Sequence, residues 1–165
     1  MKQLPAGYVL RRMTTVDVDQ VHDLDVRSFS LPWPKRSFEM EMQNPASQGW
    51  VITAPPQGEE APAVIAMALL WVILDEAHIA TFAVDAAYRQ QGIGAFLLAS
   101  ILETLKALGV QHVFLEVRRN NTAAQALYAR AGFVVIDVRK GYYTDTHEDA
   151  LVMMLTITGV TSQHI

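Results

Sequence analysis

Cysteine is absent from this chain. Its absence excludes disulfides, a cysteine-bound acyl intermediate and thiolate metal ligands, so any chemistry must use other groups. Clustered cations are missing as well. Lysine and arginine number 13 against 17 acidic residues, giving a formal charge of −4, and they form no run. Nucleic-acid and anionic-membrane surfaces need such clusters, so neither partner is expected, and a small or peptidic ligand fits better. No apolar stretch reaches the roughly 18 uninterrupted residues of a membrane span. Met1 to Met13 holds Pro5, Gly7 and two arginines and lacks the apolar block of a secretory signal. A cytoplasmic protein is expected. His22, His78, His112, His147 and His164 form no i, i+4 pair, and Ser100 has no flanking glycines, so no metal site or nucleophile elbow is expected.

Half of the 165 residues are apolar. A chain of this length buries on the order of 70% of its unfolded surface in one core, so 1–165 is expected to form a single domain, with Thr158 to Ile165 as a tail of undetermined order. The strand candidates are Tyr8 to Met13, Gly49 to Ala54, Ala63 to Leu74, His78 to Val84, Val113 to Val117, Phe133 to Tyr143 and Asp149 to Ile157. Helices are expected after Thr14 or Thr15, over Lys35 to Gln43, from Gly92 to Gly109 and over Thr122 to Ala131. In the third of these, Ile93, Phe96, Leu97, Ile101, Leu105 and Leu108 follow helical spacing. The order β-α-α-β-β-β-α-β-α-β-β implies an α/β architecture, a mixed sheet of seven strands with helices on both faces.

The stretch from Ala80 to Tyr128 holds the candidate chemistry. Gly92-x-Gly94 opens a helix directly after a strand, a geometry that aims several backbone N–H groups at one anion. A dinucleotide fingerprint would need a small residue where Leu97 stands. A P-loop would need Lys-Ser/Thr where Ala95-Phe96 stand. Both fail, which leaves open a phosphate cradle of another kind or a tight turn that serves packing alone.

Arg89-x-x-Gly92-x-Gly94, following Val84-Asp85 and leading into the long helix, resembles the acetyl-CoA loop of the GNAT superfamily of N-acetyltransferases, whose element order is also the one above. Further motifs are similar to the RimI type, which acetylates the N-terminal alanine of a ribosomal protein. They are Leu31-Pro32-Trp33, Leu115-Glu116-Val117-Arg118, Asn121-x-x-Ala124-x-x-Leu127-Tyr128, Gly132-Phe133 and Arg139-Lys140-Gly141-Tyr142-Tyr143. The chain departs from that pattern at Leu31, Ala95, Gly141 and the Pro55 to Pro62 connection.

The resemblance implies a GNAT fold in which the two central strands splay to admit acetyl-CoA. The amides of Gln91, Gly92, Ile93, Gly94 and Ala95 would surround the pyrophosphate, with Arg89 and Gln90 in the same cofactor-binding loop. The backbone of Phe82, Ala83 and Val84 would pair with the pantetheine arm, and Asn121 would add a contact to it. It also implies Glu116 as base, Tyr128 as the donor to the departing thiolate, and Leu31, Trp33, Tyr142 and Tyr143 beside the acceptor, the N-terminus of a protein or peptide.

The residues themselves leave alternatives open. Glu116 shares a strand face with Phe114 and Arg118, where desolvation would raise its pKa toward neutrality and suit it as a base. An ion pair with Arg118 would make it structural instead. Tyr128 lies at the edge of the Leu127 stripe, half packed and half exposed. Asn121 is an N-cap in any case, and Glu148 and Asp149 could attract a basic peptide. Acceptors other than an α-amine, namely a lysine side chain or a small amine, and a non-catalytic CoA-binding module, are the competing functions.

Overall fold

A computed structural model describes residues 3–157; the tail beyond Ile157 lies outside the described residues. Seven strands and four helices alternate along the chain: β1 (Val9–Arg12), α1 (Val18–Ser28), α2 (Lys35–Glu41), β2 (Ser47–Ala54), β3 (Ala63–Ile73), β4 (Glu76–Val84), α3 (Ile93–Ala107), β5 (His112–Arg118), α4 (Thr122–Arg130), β6 (Val134–Arg139) and β7 (Ala150–Thr156). The strands form one mixed sheet in the order β1-β2-β3-β4-β5-β7-β6. This is the order of elements and the sheet that the sequence implies.

The described residues group into two compact units, one comprising residues 3–70 and 81–97, the other 71–80 and 98–157. In the first, β3 is buried without interruption from Val64 to Leu70, as its unbroken apolar run requires of a strand covered on both faces. Against α1, whose Val18, Val21, Leu24 and Asp25 point inward, packs Phe38 of α2, which is fully buried with its ring 5.3 Å from that of Trp33.

Asp17, at the entry to α1, is buried and satisfied. Arg11 donates to both of its oxygens at 2.7 Å, and the Thr14 amide donates at 2.8 Å. The hydrogen bonds from Arg11 hold this carboxyl below the usual carboxylate range, against the opposing effect of burial. Its contribution is therefore complete above the unfolded-state pKa and lost as pH falls through the lower folded-state value. Asp17→Asn should cost about 1–2 kcal/mol in urea denaturation at pH 7, reduced because Arg11 is part-exposed, with the difference from the parent shrinking as pH approaches 3. An equal deficit at pH 7 and pH 3 would contradict the charge-based account.

In the second unit β5 alternates strictly: Val113, Leu115 and Val117 are buried, and Phe114, Glu116 and Arg118 share the opposite face. The strand pairs with β7 along its length and with β4 in parallel from Glu76↔His112 to Ile79↔Leu115. Beyond the last of these pairs β4 continues to Val84 and β5 to Arg118.

Two expectations about element ends need correction. Leu108 does not share the buried stripe of α3; it is 56% exposed, because the helix stops at Ala107 and Gly109 (φ 82) turns the chain. The Val110 amide then closes the end on the Leu105 carbonyl, the six-to-one bond of a Schellman cap. β6 ends at Arg139 and not at Tyr143. Gly141 takes φ 58 and gives its amide to Asp149 Oδ1, so Tyr142 and Tyr143 stand in a loop.

Candidate active site

In the first unit, the segment after β4 is folded as a cradle. Asp85 caps a short turn by accepting the Ala87 amide, and Arg27 holds its other oxygen at 2.7 Å. The Arg89 side chain folds back to donate to the Val84 carbonyl at 2.9 Å, closing the loop onto the end of the strand. Gln90 (φ 61) and Gly92 (φ 80) both adopt left-handed backbone. For Gln90 that conformation carries strain of order 1 kcal/mol, of the kind that clusters where backbone must be aimed. The Phe96 amide bonds the Gly92 carbonyl, so the amides of Ile93, Gly94 and Ala95 ahead of it lie on the open first turn of α3, with no intrahelical acceptor. With Gln91 they form a row of donors at the positive end of a helix that runs from Ile93 to Ala107, which suits a phosphate.

The same unit carries Leu31 and Trp33. Leu31 is 45% exposed, whereas Trp33 is half-buried against Phe38. Phe82 and Val84 are half-buried and Ala83 is buried on β4.

The second unit carries the candidate acid and base. Glu116 does not pair with Arg118. Its Oε2 lies 2.5 Å from Nε2 of His78, with Arg139 at 3.8 Å from Oε1. The β4–β5 register explains the meeting. His78 is opposite Phe114, so Glu116, two residues on, is its diagonal neighbour on the same face. His78 is itself backed by the Trp71 ring at 5.3 Å.

This hydrogen bond overturns the expected direction of the Glu116 pKa. The bond from His78 holds the carboxyl below its ordinary value, and burial, which opposes it, is outweighed. Glu116 is therefore an ionised carboxylate at neutral pH and is already unprotonated when an amine arrives.

Arg118 is engaged elsewhere. It bonds Asp145 at 2.9 Å, Glu148 and Thr146 at 3.3 Å, and its guanidinium lies 3.9 Å over the Tyr143 ring. Glu148 also accepts the Asn120 amide, and Asp149 takes Arg119 and the Gly141 amide. These carboxylates tie down the β6–β7 loop. Tyr142 is exposed, edge-on to Tyr143 at 5.2 Å. Tyr143 is half-buried, and desolvation pushes its hydroxyl up to about 12.

Tyr128 is buried at 7% exposure, not half exposed as its position beside Leu127 suggests. Its ring packs 5.8 Å from Phe133, just past the end of α4. Burial raises its pKa well above the ordinary phenol value, so it keeps its proton and is a hydrogen-bond donor. Asn121 caps α4 as expected, its side chain accepting the Ala124 amide at 3.2 Å.

Two residues were not singled out as functional from sequence. His78 looked like an isolated strand histidine, and only the inter-strand register reveals its partner. Asp25, on the inward stripe of α1, is a buried carboxylate that accepts the Trp33 amide at 2.7 Å. Among the described residues no group of three or more metal-ligating side chains occurs, and no helix is long and apolar enough to cross a membrane.

Residues 18–133 match the Acetyltransferase (GNAT) family. The chain belongs to that family. It is 34% identical over 148 residues to the [ribosomal protein bS18]-alanine N-acetyltransferase of Escherichia coli (strain K12), covering 88% of this chain and 95% of that protein. The similarly named Salmonella typhimurium protein is 32% identical over the same shares. The crystal structure of the Escherichia coli ribosomal-protein-S18-alanine N-acetyltransferase superposes with a TM-score of 0.83 at 31% identity, covering 96% of this chain and 99% of that one. A spermidine N-acetyltransferase from Vibrio cholerae shares the fold at a TM-score of 0.75 and 16% identity. The GNAT chain is thus an acyltransferase whose donor is acetyl-CoA.

Proposed function

We propose that this GNAT acetyltransferase acetylates the N-terminal α-amine of a protein, an alanine amine of a ribosomal protein first of all. The observation that carries this reading is the near full-length identity to enzymes named for that acceptor, 34% over 148 residues. The fold alone does not select it, since a spermidine enzyme shares the fold. The whole chain then works as one acetyltransferase domain in the cytoplasm, where ribosomal proteins are made.

In this reading Arg89 and Gln90 shape the cofactor loop, and the amides from Gln91 to Ala95 bind the pyrophosphate of acetyl-CoA. Phe82, Ala83 and Val84 offer backbone to its pantetheine arm, with Asn121 adding a contact. Leu31 and Trp33 on one segment, and Tyr142 and Tyr143 on another, bind the acceptor.

Transfer is direct in this reading, and with no cysteine in the chain a cysteine-bound acyl-enzyme is excluded. Glu116 takes a proton from the α-ammonium group, and His78, hydrogen-bonded to the same carboxylate, is within reach to share it. The amine nitrogen then forms a bond to the thioester carbonyl carbon, backbone N–H near Val84 steadies the oxyanion, and the carbon–sulfur bond breaks. Tyr128 donates to the departing thiolate. An α-amine suits this base: its reference pKa of about 7.7–8.0 is roughly 2.5 units below that of a lysine side chain, so deprotonating it costs about 3.5 kcal/mol less.

The test is acetyl-CoA turnover with peptides beginning Ala-, Ser- or Met-, beside an Nα-blocked lysine peptide and spermidine. The expected order places the alanine peptide first, with the blocked peptide and spermidine near background. Acetylation of only the latter two would replace this reading with a side-chain or small-amine enzyme.

A further inference from the structure

Asp25 is 1% exposed and makes no ion pair among the described residues. That sets it apart from Asp17, which Arg11 neutralises. A carboxylate so buried needs donors, and Asp25 finds them on two other segments. Its Oδ2 accepts the Trp33 amide at 2.7 Å, and its Oδ1 accepts the Thr81 hydroxyl at 3.5 Å. Local capping of α1 does not require this side chain, because the Phe29 amide already closes the helix on the Asp25 backbone carbonyl at 3.0 Å.

Burial raises the pKa of Asp25, the mark of a carboxyl kept in place at an energetic cost. His22 acts on it from the same helix, and its ring faces Phe38 at 6.4 Å. Phe38 in turn packs on Trp33, so the carboxylate sits at the base of the aromatic cluster that shapes the acceptor segment.

The two donors differ in what they adjoin. Thr81 directly precedes Phe82, Ala83 and Val84, the stretch assigned above to the pantetheine arm. Trp33 belongs to the acceptor segment. We infer that Asp25 is a positioning residue that couples the two: acetyl-CoA, by ordering β4 at Thr81, orders the Trp33 segment through this carboxylate and so favours acceptor binding to the donor-loaded enzyme. The inference rests on the proposed donor and acceptor roles of those stretches. Because binding couplings are reciprocal, the acceptor peptide must tighten acetyl-CoA by the same factor.

The experiment compares the full chain with Thr81→Val, Asp25→Asn and Asp25→Ala, using amide hydrogen exchange at Trp33 with and without acetyl-CoA, and KM for each substrate. In the parent, acetyl-CoA should slow Trp33 exchange. Thr81→Val removes only the link to β4. It should keep the unliganded protection of Trp33, lose the response to acetyl-CoA, and raise KM for the peptide, and KM for acetyl-CoA at saturating peptide, about tenfold, while the affinity for acetyl-CoA without peptide, read by calorimetry, stays within about twofold. Asp25→Asn should stay within about threefold of the parent in both constants, because its amide oxygen still accepts from Trp33 and its NH₂ can donate to the Thr81 oxygen. Asp25→Ala should lose the protection and the response together.

A Thr81→Val protein whose Trp33 amide responds to acetyl-CoA as the parent does would overturn the coupling, whatever its turnover. A parent protein that shows the exchange response but acetylates no N-terminal amine would overturn the proposed acceptor and leave the coupling standing.

Discussion

Glu116→Gln is expected to lower kcat with an alanine-terminated peptide by about two to four orders of magnitude while leaving acetyl-CoA affinity nearly unchanged. The substitution keeps the shape of the side chain and a hydrogen-bond acceptor for His78 but removes the carboxylate charge that takes the proton in the proposed mechanism. Titration calorimetry with acetyl-CoA separates the two effects, and near-normal turnover would remove Glu116 from the mechanism.

The same residue gives a pH signature. Because the bond from His78 depresses its pKa, Glu116 stays ionised through the ordinary carboxylate range. The acid-side fall of kcat/KM should then reflect one proton, that of the acceptor amine, with a reference pKa of about 7.7–8.0. His78→Phe keeps a ring to pack on Trp71 but lets burial raise the Glu116 pKa. A second proton should then enter at a higher pH than in the parent, steepening the acid limb. An unaltered slope would mean that the pair does not titrate as described.

Tyr128→Phe is expected to lower kcat by about two orders of magnitude, the usual loss of one donor to a developing negative charge. Burial raises the Tyr128 pKa. A phenol more basic than normal gives a full proton to a thiolate, reference thiol pKa about 8.5, only at a cost of about 1.4 kcal/mol for each unit of mismatch. Its favoured contribution is therefore a hydrogen bond to sulfur as the carbon–sulfur bond stretches, with transfer completed late. Donors with a more acidic thiol need that bond less, so the deficit should shrink with them. An equal deficit for acidic and ordinary thiols would assign the loss to packing against Phe133.

What could be read from sequence was whatever depends on neighbours along the chain. The apolar run of β3, the alternation of β5, the Asn121 cap and the glycine loop are local patterns, and each reappears in the structure. The errors lie where a partner comes from a distant segment. An Arg118 pair was the open alternative for Glu116 because the two share a strand face, but His78 on β4 and the acids of the β6–β7 loop are separated from them by tens of residues and meet them only through strand register and loop closure. Tyr128 was placed at a helix rim because spacing within α4 cannot reveal that Phe133 covers it from beyond the helix. Asp25 fitted the inward stripe of α1 by position, and nothing in that stripe discloses Thr81.

The gathering of Asp145, Thr146, Glu148 and Tyr143 on the single guanidinium of Arg118 also bears on how this sequence can drift. A change at any one of the four leaves the others in place and costs little. Once Arg118 is lost, further changes at Asp145, Thr146 and Tyr143 cost less, since their shared partner is already gone, whereas Glu148 still holds the Asn120 amide. Substitutions there should combine less than additively on an Arg118-deficient background. The β6–β7 loop is thus free to vary one residue at a time, whereas Arg118 becomes harder to replace with every partner it holds.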